Sequence, residues 1–367
     1  MWRRSCIHLL FWSSWLFNLI LVFLQKRNTG DPNDAFCRQN ILTLLSIFRN
    51  NLFINSLLLL PYVILVRVHT LVYPVAYEVQ QGDTFVVEFL FSSISSPIGQ
   101  SISAILLVYL QAVFLNRLVI KHRLAPDYSL WPGLIYILLT LMPSFPGLSP
   151  HLLANTFILI SLDQLFRTYK SPKVADNIFN TGLWIGVASL LVPNHIYLVV
   201  IAYVALLVLR SAKLNEFVQL ISGTLVCYFL AYGGLYLCDK PVGAEIALLS
   251  LRPHFNFLEL SGVPLYKLLI LTAMALFAVA NYGKYTMKKT IQAQKKIDIL
   301  FWMMAGSGLL VLVTDDIQAY QTLPLFIPLA VFFNTNLFNI KNPLIQELLH
   351  IVALGLGFGL GFGWIPI

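Results

Sequence analysis

The chain has 367 residues, 58% of them hydrophobic and 11% charged, with a formal net charge of +8. Soluble domains carry about 25% charged residues, and a water-soluble core of this size cannot absorb such an apolar excess, whereas a lipid bilayer can. The basic residues sit in short loops between apolar runs, where membrane topology explains them, so no nucleic-acid partner is expected.

Residues 1–40 form an N-terminal extension or extra apolar segment. Met1-Trp-Arg-Arg leads into the apolar run Ile7–Leu24, with bulky Trp and Phe throughout and no small-residue cleavage site. It reads as a first span or as an upstream extension of the reading frame. Residues 41–367 then read as a single polytopic membrane domain. Ile41–Asn51 is a short amphipathic lead-in, and Leu52–Val68 a span loosened at Pro61, with Arg67 able to snorkel at its end. Between His69 and Gln100 stand Glu78, Asp83 and Glu88 with no Lys or Arg. The apolar stretch from Val86 to Phe91, continued by Ile94, Ile98 and Ile102, predicts one or two helices lying along the membrane surface.

Further spans are expected near Ser101–Ile120, Leu130–Met142, Pro150–Phe166, Ile178–Val192, His195–Leu209, Glu216–Leu237, Pro264–Tyr282, Ile297–Val313, Pro324–Leu337 and Pro343–Trp364. The fold class expected is therefore all-α: a polytopic transmembrane bundle of about eleven spans, some of them short or re-entrant. Arg117/Lys121/Arg123, Arg167/Lys170/Lys173, Arg210/Lys213, Lys284–Lys296 and Lys341 fall in every second loop. The loops between are neutral or acidic, which puts the basic loops in the cytoplasm and the Glu78–Glu88 loop on the other side. The last run, with Gly355, Gly357, Gly359, Gly361 and Gly363, offers small-residue faces at Gly355/Gly359 and Gly359/Gly363 for close helix approach. Cys6, Cys37, Cys227 and Cys238 show no ligand spacing and read as small packing residues.

Ionisable groups at membrane depth are the first places to look for chemistry. Asp163 is the clearest, one turn from Arg167, where a local ion pair is the competing reading. Asn155, Asn180 and Asn334 read as bridges between helices. The non-cytoplasmic face gathers Glu78, Asp83, Glu88, His69, His151, His195, Arg252, His254, Asp315 and Asp316. A carboxylate there can serve as a general base or, with histidine, hold a divalent metal; solvated loops also carry such residues. The HxxxH, GxxxxGK[ST] and GxSxG patterns are absent.

Ile47-Phe-Arg-Asn-Asn51, Asn116-Arg117 with Lys121-His122, Leu148-Ser-Pro150, Leu153-Ala-Asn155, Phe179-Asn-Thr-Gly182 and Leu325-Phe-Ile-Pro-Leu-Ala330 resemble segments of an uncharacterised, domain-of-unknown-function family of bacterial polytopic inner-membrane proteins. The resemblance covers Ile41 to the C-terminus and implies a multi-pass protein of the bacterial cytoplasmic membrane. The same order of elements looks like the GT-C superfamily of lipid-sugar glycosyltransferases. In that superfamily a carboxylate soon after the first span acts in catalysis; the resemblance implies Asp83, Glu78 or Glu88 here. No acidic pair stands at that place, and Asn155 occupies the position of a second acidic residue. The implied function is an envelope transferase using a polyprenyl-linked glycan donor. The alternative is a non-enzymatic scaffold or accessory subunit acting with other envelope proteins in an assembly or secretion machine. A secondary transporter ranks last, because no internal repeat is visible. The residues point to no particular cofactor.

Overall fold

The computed structural model describes residues 45, 48–49, 53–80, 83–125, 129–142, 147–169, 174–210, 213–238, 265–287, 289–312 and 319–361. Helix is the only regular structure among them. The helices are α1 (Phe53–Leu57), α2 (Leu59–Val66), α3 (Val68–Val72), α4 (Phe85–Ser93), α5 (Pro97–His122), α6 (Trp131–Leu139), α7 (Pro150–Arg167), α8 (Val174–Leu191), α9 (Leu198–Leu209), α10 (Leu214–Leu237), α11 (Leu265–Ala280), α12 (Tyr282–Thr286), α13 (Ile291–Leu312), α14 (Leu323–Phe338) and α15 (Pro343–Gly361). Short 3-10 turns at Pro193–Tyr197 and Ala319–Thr322 precede α9 and α14.

Local chemistry sets where the central helices begin and end. Pro97 opens α5, where its missing N–H costs nothing, and Ser96 Oγ accepts from Gly99 N at 3.0 Å. Ser149-Pro150 repeats the arrangement at α7, with Ser149 Oγ accepting from Leu152 N at 3.2 Å. Arg123 closes α5 in the left-handed region, φ 55°, which turns the chain back towards α6.

The order in space follows from side-chain bonds. Gln111 of α5 donates to Leu152 O and Thr156 Oγ1 of α7, and further along Lys121 of α5 reaches Asp163 of α7, so these helices run parallel. Between them α6 runs antiparallel: Gly133 N donates to Asn116 Oδ1, and Tyr136 OH donates to Gln111 Oε1. Helix α8 returns along α7, with Phe157 stacked on Trp184 at 5.7 Å, and α10 lies parallel to α8. A Cβ on Gly182 would collide with Leu220 O, and one on Gly223 with Phe179 O. Thr224 Oγ1 donates to Gly182 O at 3.0 Å across that close approach. Helix α14 lies against α6, α7, α11 and α13, with Leu323 through Phe332 all buried. The sides of this bundle therefore hold two polar ends apart. Lys121, Arg167, Arg210 and Lys295 share one, and residues 74–80 and 83–84 occupy the other.

Helices α5 and α10 are the two described helices long and apolar enough to cross a bilayer. Ile98, Ile102, Leu106 and Leu110 make an exposed apolar row along α5, and Phe229, Leu230 and Leu237 are exposed on α10. Surfaces of this kind belong in lipid rather than water, as in a membrane protein. Five shorter apolar helices have 10–17 residues. The expected span Leu130–Met142 is the 9-residue α6, mostly buried, with a length of about 14 Å, under half of the roughly 30 Å hydrocarbon core. The count of eleven spans thus goes beyond what helix length and composition give.

Three readings are refined. Where one or two surface helices were expected over His69–Gln100, the end of α3 and the whole of α4 form; Ile98 and Ile102 belong instead to the long α5, because the Ser96-Pro97 start lies before them. In the lead-in, Leu45 and Phe48 are buried and Arg49 is exposed; Leu130 N donates to Phe48 O at 2.9 Å and Trp131 Nε1 to Leu45 O at 3.0 Å. On α15 the Cβ of Gly357 would meet Leu141, while Gly355 faces open space; the surroundings of Gly359 and Gly363, on which both expected small-residue faces depend, lie outside the described residues. Residues 1–40, with Cys6 and Cys37, and Arg252, His254, Asp315 and Asp316 lie outside the described residues.

Candidate functional site

The loop between α3 and α4 is tied to the helices around it. Gln100, buried on the first turn of α5, accepts from Tyr77 N at 2.7 Å and donates to Ile94 O at 2.9 Å. The Tyr77 hydroxyl donates towards both oxygens of Asp83, at 3.1 Å each, and Gln80 N donates to Asp83 Oδ2 at 2.8 Å. Thr84 Oγ1 donates to Leu190 O at 2.6 Å, which fastens the start of α4 to the end of α8. Asp83 is therefore half-buried in a fixed orientation, while Glu78 and Glu88 are exposed. A carboxylate offers about four acceptor sites. Two uncharged donors engage Asp83, the Tyr77 hydroxyl shared between both oxygens and the Gln80 N–H, so acceptor capacity for a further proton donor remains.

This loop adjoins an apolar groove. The Tyr77 ring packs on Phe91 with centroids 4.8 Å apart. Leu90, Phe91 and Ile94 form one wall of a groove of about 200 Å³; Ser103, Leu106, Leu107 and Leu110 of α5 form another, and Leu148 and Leu153 close it beside α7. Whole small-molecule sites run to about 300–1,000 Å³; this groove suits a length of hydrocarbon chain rather than a polar head. Leu106 and Leu110 also belong to the exposed row on α5, so the groove opens on the apolar flank of the bundle.

Other groups named from the sequence are scattered. His151 and His195 meet edge to face at 5.8 Å, His195 being buried, and His69 lies 5.2 Å from the Tyr73 ring. Among the described residues no group of three or more His, Cys, Asp or Glu is placed to hold a metal ion. Asn155 does bridge helices: its Nδ2 donates to Tyr136 OH at 2.7 Å, joining the Gln111 network between α5, α6 and α7. Arg67 is buried at the end of α2 and donates to Thr140 O at 3.1 Å rather than reaching outwards. Asn334 is fully buried in α14, with no partner for Oδ1 or Nδ2 among the described residues.

A second polar cluster lies at the basic end. The expected pair of Asp163 and Arg167 forms at 2.6 Å, but it is one of several contacts. Lys121 Nζ reaches both Asp163 oxygens at 2.8 and 2.9 Å, and His122 Nε2 lies 2.7 Å from Oδ1. On its other side His122 Nδ1 meets Lys296 Nζ at 2.9 Å. The basic ends of α5 and α13 were visible in the sequence; that they meet at one carboxylate was not.

No protein-family model and no curated protein matches the sequence. Among solved structures, the chain is similar to the oligosaccharyltransferase AglB of Archaeoglobus fulgidus. It is 11% identical to the AglB structure in complex with an inhibitory peptide and a dolichol-phosphate, with a TM-score of 0.41 over 82% of this chain and 51% of that one. For the apo form the values are 10%, 0.40, 82% and 52%. The chain thus spans about half the length of those proteins, and no residue role is carried over from them.

Proposed function

We propose that residues 41–367 form one multi-pass domain in a bacterial inner membrane, acting as a GT-C-like transferase on a polyprenyl-phosphate-linked donor at the non-cytoplasmic face. The observation that carries this reading is the apolar groove opening on the flank of α5 and walled by Phe91, one ring away from the Tyr77–Asp83 pair. A polyprenyl chain enters such a groove sideways from lipid, leaving its phosphate and sugar at the loop. Asp83 takes the proton of an acceptor hydroxyl or amide as that group attacks the anomeric carbon. The new bond to the acceptor forms, the carbon–oxygen bond to phosphate breaks, and the polyprenyl phosphate leaves with the electron pair. Tyr77 and Gln80 aim the carboxylate, and the exposed Glu78 and Glu88 orient the acceptor. The alternation of basic and acidic loops supports this side of the membrane.

The test uses the full chain in vesicles with a photoreactive polyprenyl phosphate and, separately, a polyprenyl-phosphate sugar as donor. Leu106→Trp, which fills the groove, should abolish both labelling and transfer, and Asp83→Asn should keep labelling and lose transfer. Labelling that survives Leu106→Trp, or transfer that survives Asp83→Asn, contradicts the reading.

A second reading, a scaffold or accessory subunit of an envelope machine, is favoured by α15. Gly355 faces open space there, and Leu344, Leu348 and Ile351 are exposed.

A further inference from the structure

The basic end holds more positive charge than the protein compensates. Lys121, Arg167 and Lys296 gather around Asp163, Lys296 through His122. Three cations against one carboxylate leave two positive charges, because at 2.9 Å Lys296 Nζ and His122 Nδ1 share one proton and the pair carries a single charge. The C-terminal ends of α5 and α7, which carry Lys121 and Arg167, supply about half a negative charge each. Lys296 stands on the second turn of α13, where the helix end is positive, so at least one charge of the surplus persists.

Lys296 is the telling member. It is 2% exposed, its hydrogen bond is to the His122 ring, and among the described residues no carboxylate lies within ion-pair distance of it. Buried charges are ordinarily paired directly. The Lys121 and Arg167 side chains, by contrast, are 38% and 46% exposed, so the cluster has an open side and a closed cationic back.

We propose that this cluster binds a phosphate group, at the opposite end of the bundle from the groove and independently of it. A phosphodiester carries one negative charge and a phosphomonoester about −1.5 to −2, which together cover the range from the reduced to the full surplus. The Arg167 fork suits two phosphate oxygens and Lys121 supplies a point charge beside it. Both can turn outwards while His122 keeps its bond to Asp163. Lys296 adds an unscreened field from behind. The same chemistry serves an anionic lipid headgroup and a free phosphate compound.

The experiment takes the full chain and follows its thermal midpoint in two arms. One titrates inorganic phosphate against chloride at equal ionic strength in detergent. The other compares nanodiscs of phosphatidylcholine with and without phosphatidic acid. Lys121→Gln and Arg167→Gln are made singly and together, with Lys213→Gln as the control; both targets are half-exposed, so the fold should survive. Each single change should weaken the response about three- to tenfold and the pair about ten- to a hundredfold, with Lys213→Gln unaffected. Stabilisation by both probes, lost in the double variant, supports a site for the phosphate group itself. Stabilisation by phosphatidic acid alone, lost likewise, supports a headgroup site. Stabilisation by neither probe, or a response that persists in the double variant, overturns the proposal. Lys296→Met should also remove the response; should it fail to fold, the half-exposed pair still decides.

Discussion

Gly223→Ala should loosen the α8–α10 interface, and the structure sets the size of the effect. The added Cβ would meet Phe179 O and lie 2.9 Å from Leu183 N, both backbone atoms that no side-chain rotation can move. The helices must part by roughly half to one ångström, a gap that forfeits about a quarter to a half of each contact's dispersion energy. The Thr224 Oγ1 bond to Gly182 O, 3.0 Å long and buried, is then lost, at about 1 kcal/mol. Overpacking of this kind costs about 1–3 kcal/mol in total, and the gain in helix propensity returns up to about 1 kcal/mol. A net loss of up to about 3 kcal/mol is expected. Gly233 on the same helix has nothing within 4 Å of its Cβ, so Gly233→Ala should be neutral or stabilising by up to about 1 kcal/mol. Thermal unfolding of the two variants in one detergent, followed by intrinsic fluorescence, measures the difference. Because Leu190 at the end of α8 anchors Thr84 beside Asp83, Gly223→Ala should also weaken polyprenyl-phosphate labelling. Equal melting of the two variants would refute the close-packing argument.

Further outcomes follow from the buried polar groups and the last helix. Tyr136→Phe strands both Gln111 Oε1 and Asn155 Nδ2 and should cost about 2–4 kcal/mol; Gln111→Leu added to it should cost less than the sum of the singles, read by a double-mutant melting cycle. Asn334→Leu should be neutral or stabilise by about 1–3 kcal/mol in the same assay, because neither polar atom has a partner to lose; a marked loss would reveal one. Gly355→Leu should leave the melting point unchanged and Gly357→Leu should lower it, since only the second Cβ meets Leu141. If α15 docks a partner, Gly355→Leu should in addition break up the complex recovered by mild extraction.

The features carried by neighbouring residues could be read from the sequence. The Pro150 start of α7 and the Asp163–Arg167 pair depend on residues one turn apart, whereas at α5 the apolar spacing runs across the Ser96-Pro97 start and points to Ser101 instead. Hydropathy could not separate α6 from a lipid-facing span, because a helix buried in protein and one bathed in lipid are equally apolar. On α15 the four-residue spacing pointed to Gly355, whereas the close contact falls at Gly357, which packs against Leu141 and belongs to neither face the spacing gave. In the candidate site, the acidic loop pointed to Asp83, but not to the partners that hold it. Tyr77 reads in sequence as one more aromatic, and Gln100 as a polar residue at a helix start. The contact of His122 with Lys296 joins segments 174 residues apart, and no local pattern announces it.

The proposed transfer depends on the groove between α4, α5 and the start of α7. Electron cryomicroscopy of the full chain in nanodiscs containing a polyprenyl phosphate addresses it most directly. An isoprenoid chain lying along Leu106, Leu110 and Leu153, with its phosphate beside Tyr77 and Asp83, is the predicted result. An isoprenoid bound elsewhere, or a groove occupied only by ordinary phospholipid under those conditions, would contradict it.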